Sequence, residues 1–298
     1  MATWDVVATL KAPAEQVLAF AAHHLSLGAG HLWLYFDDPD AAVPAALTAH
    51  PKVTVTLCDD PLWRARGRRP ERHQNRQARN AQDAYARTKS QWLTHIDVDE
   101  FIHTDHEISG ALNSVHPDAL VIQMEPFEAM HDPSLPDDIF TARAFRGPLK
   151  KGFANFRDMA LGSSAALIPD GMLSHSVGKC FFRSGIEGLT PRLHGAMLAG
   201  SRVPSFGRLA DTCLLHFHAQ DREGWLAALP YRLTRGAYQY KPDMQAFLLS
   251  ASPQLIDHFY HRTQVLAPDA EAKLAAIGRI HHAALGLRQK ANALLEHP

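Results

Sequence analysis

The sequence predicts an α/β fold, a sheet flanked by helices with a helical extension at its C-terminal end, and three observations predict it. Apolar runs of strand length alternate with segments of helical period over roughly the first hundred residues. Two of those runs end in carboxylates, Asp37-Asp38 and Asp97-Val98-Asp99. Beyond about residue 221 helical spacing stands alone.

Trp4 to Leu10 reads as a strand. Pro13 to Leu27 reads as a helix because Val17, Leu18, Ala21 and Leu25 recur at helical spacing, Pro13 stands where a helix start tolerates it, and Gly28 and Gly30 end the element. His31 to Phe36 is a short apolar run stopped by Asp37-Asp38-Pro39-Asp40, as a buried parallel strand with an acidic exit would be. These three make a βαβ unit. A helix over roughly Gln74 to Lys89 leads into a buried strand read over Gln91 to Phe101, so carboxylates fall at the carboxyl ends of two strands, where open α/β sheets bind ligands.

In an extended backbone Asp97 and Asp99 share one face while Ile96, Val98 and Glu100 turn to the other. Such a face suits a hard divalent cation, magnesium or manganese. The bland alternative is a strand followed by an acidic turn. A calcium-binding helix-loop-helix is excluded, because its sixth and twelfth positions, glycine and glutamate in that motif, are Ile102 and Ile108 here.

The order of the motifs resembles the GT-A glycosyltransferases related to glycosyltransferase family 2, especially the subgroup whose core reads Trp-x-x-x-x-Asp-x-Asp-Glu-Phe. Leu10-Lys11, His23-His24-Leu25-Ser26-Leu27-Gly28, Tyr35-Phe36-Asp37-Asp38, Gln77 with Asn80, and Trp92 through Phe101 carry the match. Gly178 to Arg183, His194 and Leu215-His216-Phe217-His218 resemble its second half more loosely, so coverage reaches about residue 240. Where the family often has Asn-Glu after the first strand, this chain has Ala12-Pro13-Ala14-Glu15.

The resemblance implies a GT-A-like, Rossmann-like mixed sheet flanked by helices, a catalytic domain over 1–220 and a helical extension over 221–298 packed on it. It also implies transfer of a sugar from a nucleotide-sugar donor, UDP-linked by first choice, to an acceptor hydroxyl, with inversion favoured and Mn2+ or Mg2+ bound. Asp99 would ligate the metal directly, and Asp97 would bind it through water or hold the ribose. His216 would complete the shell, with His194 next in line. Asp37 or Asp38 would face the nucleobase or ribose, with Lys11, Gln77 and Asn80 on the same nucleotide. The acceptor, a glycan, a lipid-linked glycan or a peptide, would dock against the middle of the chain. Glu125, Glu128 and Asp132, expected in a loop after a strand over Ala119 to Met124, and Asp158 are the candidate bases for the acceptor proton. The stretch Gly147 to Gly171 reads as a lid over the nucleotide or as an ordinary loop.

Arg64, Arg66, Arg68, Arg69, Arg72, Arg76 and Arg79 form the one strong charge cluster, an anion site for a diphosphate or a solvated loop. Lys150, Lys151, Lys179 and Arg183 are further candidates for phosphate contact, with plain surface residues the alternative for each. Nucleic acid is not expected as a partner, since no interleaved aromatics or zinc-finger spacing accompany the arginines. His23 and His24 read as packing residues. Two rival functions stay open, a metal-dependent phosphohydrolase using His95, Asp97 and Asp99, and a catalytically silent sugar-binding protein.

With 298 residues, 46% of them hydrophobic, the chain can bury a sizeable core, and a net charge of -1 supplies no global field toward nucleic acid or anionic lipid. Cys58, Cys180 and Cys213 lack metal-ligand spacing and suit a reducing compartment. Asp5 and Lys11 interrupt the first apolar stretch, so neither a signal peptide nor a membrane span is expected. The expectation is a cytoplasmic protein, with peripheral attachment to a membrane and dimerisation through the C-terminal helices both open. That C-terminal part is read as helices over Arg222 to Gly236, Met244 to Gln264 in part, and Pro268 to Leu295.

Overall fold

The computed structural model describes residues 1–135 and 138–296. The chain divides into two compact units, one made of Met1–Glu125, Gly178–Leu214 and Gly286–Pro298, the other of Pro126–Val177 and Leu215–Leu285. Residues 221–285 thus share the second unit with 126–177, and the remainder of the expected extension belongs to the first, its last two residues lying outside the described ones.

In chain order the first unit opens with β1 (Trp4–Leu10), α1 (Ala14–Ser26), β2 (His31–Phe36), α2 (Ala45–Ala49), β3 (Val53–Leu57), α3 (Asp60–Ala65), α4 (His73–Arg87), β4 (Trp92–His95), β5 (Glu100–Thr104) and α5 (Ile108–Asn113). β6 (Val121–Ala129) leads into the second unit, which holds β7 (Ala144–Arg146) and α6 (Ala154–Leu161). The chain returns to the first with β8 (Lys179–Arg183), β9 (Leu189–Arg192), β10 (Gly195–Leu198), β11 (Ser201–Val203) and most of β12 (Arg208–His216). Then come α7 (Arg222–Thr234), α8 (Pro242–Ser250), α9 (Pro253–Gln264), α10 (Pro268–Ala276) and β13 (Ile280–His282) of the second unit, and α11 (Leu287–Glu296) of the first.

The first unit is a mixed α/β layer structure with a mainly parallel sheet flanked by helices. β3, β2, β1 and β4 lie side by side and parallel, and β8 pairs antiparallel with β4 and with residues 121–124 of β6. β1 is buried at every position and is nearly all apolar, as a strand covered on both faces must be. Its one acid, Asp5, is satisfied by the hydroxyls of Thr88 and Ser90, each at 2.6 Å, and by Trp33 Nε1 at 3.2 Å. α1 stops at Gly28, whose φ of +90° lies where a side chain would be strained. α4 packs on β1, and α1 carries α11. Lys290 Nζ donates to His23 Nδ1 at 3.0 Å, while His23 Nε2 donates to the carbonyl of Ile102 at 2.8 Å. His23 and His24 are therefore packing residues, as expected.

The second unit has its own core, built around Trp225, Tyr238, Phe259, Tyr260 and Leu274. Its β7 pairs antiparallel with the end of β6 and with β13. The single helix expected from Pro268 to Leu295 is instead α10, β13 and α11, because Gly278 and Gly286 take positive φ at the breaks. The expected strand over Ala119 to Met124 runs on to Ala129, so Glu125 and Glu128 stand within a strand rather than in a loop after it. The stretch read as a lid or loop contains α6, and charged side chains grip the chain just beyond that helix. Arg157 donates to the carbonyl of Pro169 at 2.8 Å, Arg146 to that of Gly171 at 3.0 Å, and Lys241 to Asp170 Oδ1 at 3.0 Å, while Glu128 accepts from the backbone N–H groups of Leu173, at 2.9 Å, and Ser174. Among the described residues no helix is long and apolar enough to cross a membrane.

If α11 is an integral part of the first unit, Leu287→Ala should cost about 2–4 kcal/mol in urea unfolding, the range for truncating a buried leucine. A loss under about 1 kcal/mol would mean that the helix is only loosely applied.

Candidate functional site

The acidic motif is a turn, and this corrects the expected geometry. β4 ends at His95, and the backbone N–H of Glu100 donates to the carbonyl of Asp97 at 3.0 Å, closing a tight turn over Val98 and Asp99. Asp97 and Asp99 therefore do not share a strand face. Glu100 does not turn away either: its Oε2 accepts the backbone N–H of Asp97 at 2.8 Å.

Between those acids sits an ammonium. Lys179 opens β8, where its pairing with Met124 and the neighbouring pair Thr94 and Phe181 fix its place beside the end of β4. It is fully buried, and its Nζ lies 2.7 Å from Asp97 Oδ2 and 3.3 Å from Glu100 Oε2. Gln77 Nε2, from α4, donates to Asp97 Oδ1. Both carboxylate oxygens of Asp97 are thus engaged within the first unit. Burial, the largest single influence, would push the Asp97 carboxyl up, but the charge and hydrogen bond of Lys179, with smaller contributions from His95 and His73, together hold the group well below the carboxylate range. Burial likewise pushes Lys179 down, and Asp97 with Glu100 more than reverses this. The expected phosphate contact by Lys179 does not match a side chain enclosed this way. A buried ammonium without partners would cost several kcal/mol, so the three groups hold one another in place.

His95 and His194 adjoin this cluster. Neither ring nitrogen of the buried His95 has a hydrogen-bond partner among the described residues, and burial, then Lys179, lower it to about 3, so the ring is neutral. His194, between β9 and β10, donates from Nδ1 to the carbonyl of Gly178 at 2.8 Å, which makes Nε2 the lone-pair nitrogen of the neutral ring.

The exit of β2 follows the same pattern. Asp37 is 3% exposed and accepts from Arg76 Nε at 2.8 Å and Nη2 at 2.7 Å, with Arg69 Nη2 at 3.3 Å and His73 Nδ1 at 3.4 Å. Burial raises its carboxyl, but hydrogen bonds from His73 and Arg76 win and hold it at about 2 against an ordinary 3.8. Its neighbour Asp38 is half-buried and 3.9 Å from the exposed Lys11. Asn80 is fully buried, donating to Thr9 Oγ1 at 3.0 Å and accepting from Arg66 at 2.8 Å. Asp37, Arg76, Gln77 and Asn80, all expected on the nucleotide, are therefore occupied in holding α4 and the preceding loop to the sheet. Arg79 adds bonds to the carbonyls of Arg66 and Arg68. Of the arginine cluster, Arg64, Arg68 and Arg72 are exposed, and their side chains make none of these contacts.

The candidate bases are scattered. Glu125 pairs with Arg208 at 2.8 Å in the first unit. In the second, Glu128 is spent on backbone N–H groups, Asp132 is bound by Arg143 at 2.8 Å and by Ser134, and Asp158 lies exposed on α6 beside Arg157. His216 ends β12 in that unit, its ring centroid 5.4 Å from His175 and 5.2 Å from His218. His218 also meets the Tyr238 hydroxyl at 3.1 Å. His175 was not singled out from the sequence, since nothing in its spacing ties it to His216.

No protein-family model matches the chain, and no curated protein matches it. Solved structures with a detectable likeness include HddC from Yersinia pseudotuberculosis, at 9% identity over 77% of this chain and 99% of that one, TM-score 0.39. A second is the mannosyltransferase PcManGT from Pyrobaculum calidifontis in complex with GDP-Man and Mn2+, at 13% identity over 99% of this chain and 79% of that one, TM-score 0.38. Residues 1–349 of TarS from S. aureus match at 11% identity over 99% of this chain and 92% of that one, TM-score 0.33. At these scores no inference about this chain follows from them.

The Asp37 network makes a testable statement about acid stability. Because the folded value is depressed, the stabilisation is fully present above the unfolded value near 3.8 and is lost as pH falls through about 2. Asp37→Asn should lose about 2 kcal/mol at pH 7, and urea unfolding should show the gap to wild type closing between about pH 4 and pH 2. A gap that does not change with pH would contradict the ion-pair account.

Proposed function

We propose that this chain is a metal-dependent glycosyltransferase of GT-A type that moves a sugar from a nucleotide-sugar donor, UDP-linked by first choice, to an acceptor hydroxyl with inversion. One observation carries the reading: the acidic turn Asp97 to Glu100 stands at the carboxyl end of β4, among the parallel strands of the first unit, where ligands of open α/β sheets bind. Asp99, half-buried in that turn, is the carboxylate assigned to Mn2+ or Mg2+. His194 is one of the two imidazoles assigned with it, the kind of donor such an ion accepts beside a carboxylate. His194 already donates its Nδ1 proton to a backbone carbonyl, the support that metal-ligating imidazoles use.

Bound there, the metal would neutralise the departing diphosphate. Asp38 and Lys11, at the exit of β2, are assigned to the nucleoside. The acceptor oxygen forms its bond to the anomeric carbon as the bond to the diphosphate oxygen breaks, and its proton passes to a carboxylate. Glu128 is withdrawn from that role because both its oxygens accept backbone N–H groups. Glu125, Asp132 and Asp158 remain. The acceptor is assigned no further than a glycan, lipid-linked glycan or peptide hydroxyl.

Asp99→Asn should abolish Mn2+-dependent binding of the nucleoside diphosphate in calorimetry with the fold intact, and full affinity in that variant would sink the metal assignment. His216→Ala or His194→Ala should weaken Mn2+ binding by about tenfold or more, and the variant that does so identifies the imidazole ligand; loss in neither would remove histidine from the metal shell. Given donor and acceptor together, the protein should release nucleoside diphosphate faster than with donor alone. Turnover of simple phosphate esters without response to any sugar nucleotide would favour a phosphohydrolase, and binding of sugar without turnover a binding protein.

A further inference from the structure

Resting on the sugar-transfer reading only for its choice of saccharide among polyhydroxyl ligands, we propose that the second unit carries a binding site for one sugar residue, in the cavity where Arg143 bridges Asp132 and Glu271. The cavity has a volume of about 120 Å³ and sets the polar side chains of His131, Asp132, Arg143 and Glu271 beside apolar Val265 and Leu266. All of these residues belong to the second unit. A cavity of about 150 Å³ accommodates benzene, so this one is on the scale of a single ring, and the Arg143 side chain, 51% exposed, leaves it open to solvent.

Its walls are fixed by the fold. The backbone N–H of Met130 donates to the carbonyl of Ala144 at 2.9 Å, that of His131 to the carbonyl of Gln264 at 2.8 Å, and that of Ala283 to the carbonyl of Arg143 at 3.1 Å. These bonds tie the end of β6 to the start of β7, to the last residue of α9 and to the residue after β13. The polar side chains are fixed as well. Arg143 donates from Nε to Asp132 Oδ2 at 2.8 Å, from Nη1 to Glu271 Oε1 at 2.8 Å and from Nη2 to Glu271 Oε2 at 3.3 Å. His282 Nε2 donates to Glu271 Oε1 at 2.8 Å, and Ser134 donates to Asp132 Oδ1 from its backbone N–H at 3.1 Å and its hydroxyl at 2.6 Å.

The hydrogen-bonding capacity left over selects the ligand. A carboxylate has about four acceptor positions and a guanidinium five N–H donors. Among the described residues Asp132 and Glu271 each accept three bonds and Arg143 donates three, so each acid keeps one acceptor position and the guanidinium two donors. His131 donates from Nδ1 to the carbonyl of Gln220 at 2.7 Å, which makes Nε2 an acceptor in the neutral tautomer. The cavity wall therefore both accepts and donates, and hydroxyl groups match it because they do both. An anion would meet two carboxylates against one guanidinium. A divalent cation bound to both acids would meet the guanidinium that lies between them. Val265 and Leu266 supply apolar surface for the C–H groups of a ring.

The test is saturation-transfer difference NMR on the full chain without metal or nucleotide. The probes are the methyl glycosides of glucose, galactose, mannose and N-acetylglucosamine, with glycerol as the simple polyol and circular dichroism as the check on folding. At least one glycoside should bind in the millimolar range. Asp132→Asn and Glu271→Gln should each weaken that binding by about tenfold or more, as expected for loss of hydrogen bonds to a charged group. Asp257→Asn, which breaks the ion pair with Arg222 elsewhere in the same unit, should bind as wild type does. Binding of no glycoside would overturn the inference, as would wild-type affinity in both cavity variants or glycerol bound as tightly as the best glycoside. Should one cavity variant fail to fold, the other decides. Nucleoside diphosphate release that responds to acceptor, with no glycoside bound in the cavity, would remove this inference and leave the transfer reading standing. Glycoside binding that the cavity variants lose, with no Mn2+-dependent nucleotide binding by wild type, would uphold the cavity and overturn the transfer reading.

Discussion

A buried ammonium between two carboxylates is the constraint on which the rest of the first unit depends. Lys179 can sit between Asp97 and Glu100 only if β8 lies antiparallel to β4 in its observed register and the chain reverses sharply after Asp97. That reversal starts β5 and brings Glu100 back onto the Asp97 backbone. α4 must also lie close enough on β1 to deliver Gln77. Sheet register, turn and helix position are therefore different expressions of one charge balance, and breaking one partner of such a buried set is far more costly than losing a surface pair.

The same economy appears at both acidic strand exits. At the end of β2, Asp37 is bound inward by Arg69, Arg76 and His73, while Asp38 remains half-buried. After β4, Asp97 is bound inward by Lys179 and Gln77, while Asp99 remains half-buried in the turn. In each case the first acid holds the fold. Several arginines that look like an anion site when counted along the chain are spent in this way, since Arg66, Arg69, Arg76 and Arg79 all bond to groups within the first unit.

Local pattern was legible wherever it decided structure. β1 and β2 fall on the residues expected, because a near-continuous apolar run between polar stops has few other solutions. The breaks at Gly278 and Gly286 were also present in the sequence, but the apolar spacing of Leu274, Ile277, Ile280 and Leu287 masked them. The turn at Asp97 was not legible, since what pulls Glu100 back is a lysine distant along the chain, and alternation along a strand says nothing about such a partner. Glu128 reads like a candidate base in a strand-end loop for a similar reason, as its partners are backbone N–H groups of Leu173 and Ser174 that carry no sequence signature. The site was thus legible as a set of acids and illegible in the division of roles among them.

The most direct measurement is an anomalous difference map at the manganese edge from crystals of the full chain soaked in Mn2+ with UDP. The account predicts one peak in bonding distance of the Asp99 carboxylate, with Lys179 Nζ still hydrogen-bonded to Asp97. A peak bonded to Asp97 with the Lys179 side chain displaced would contradict it.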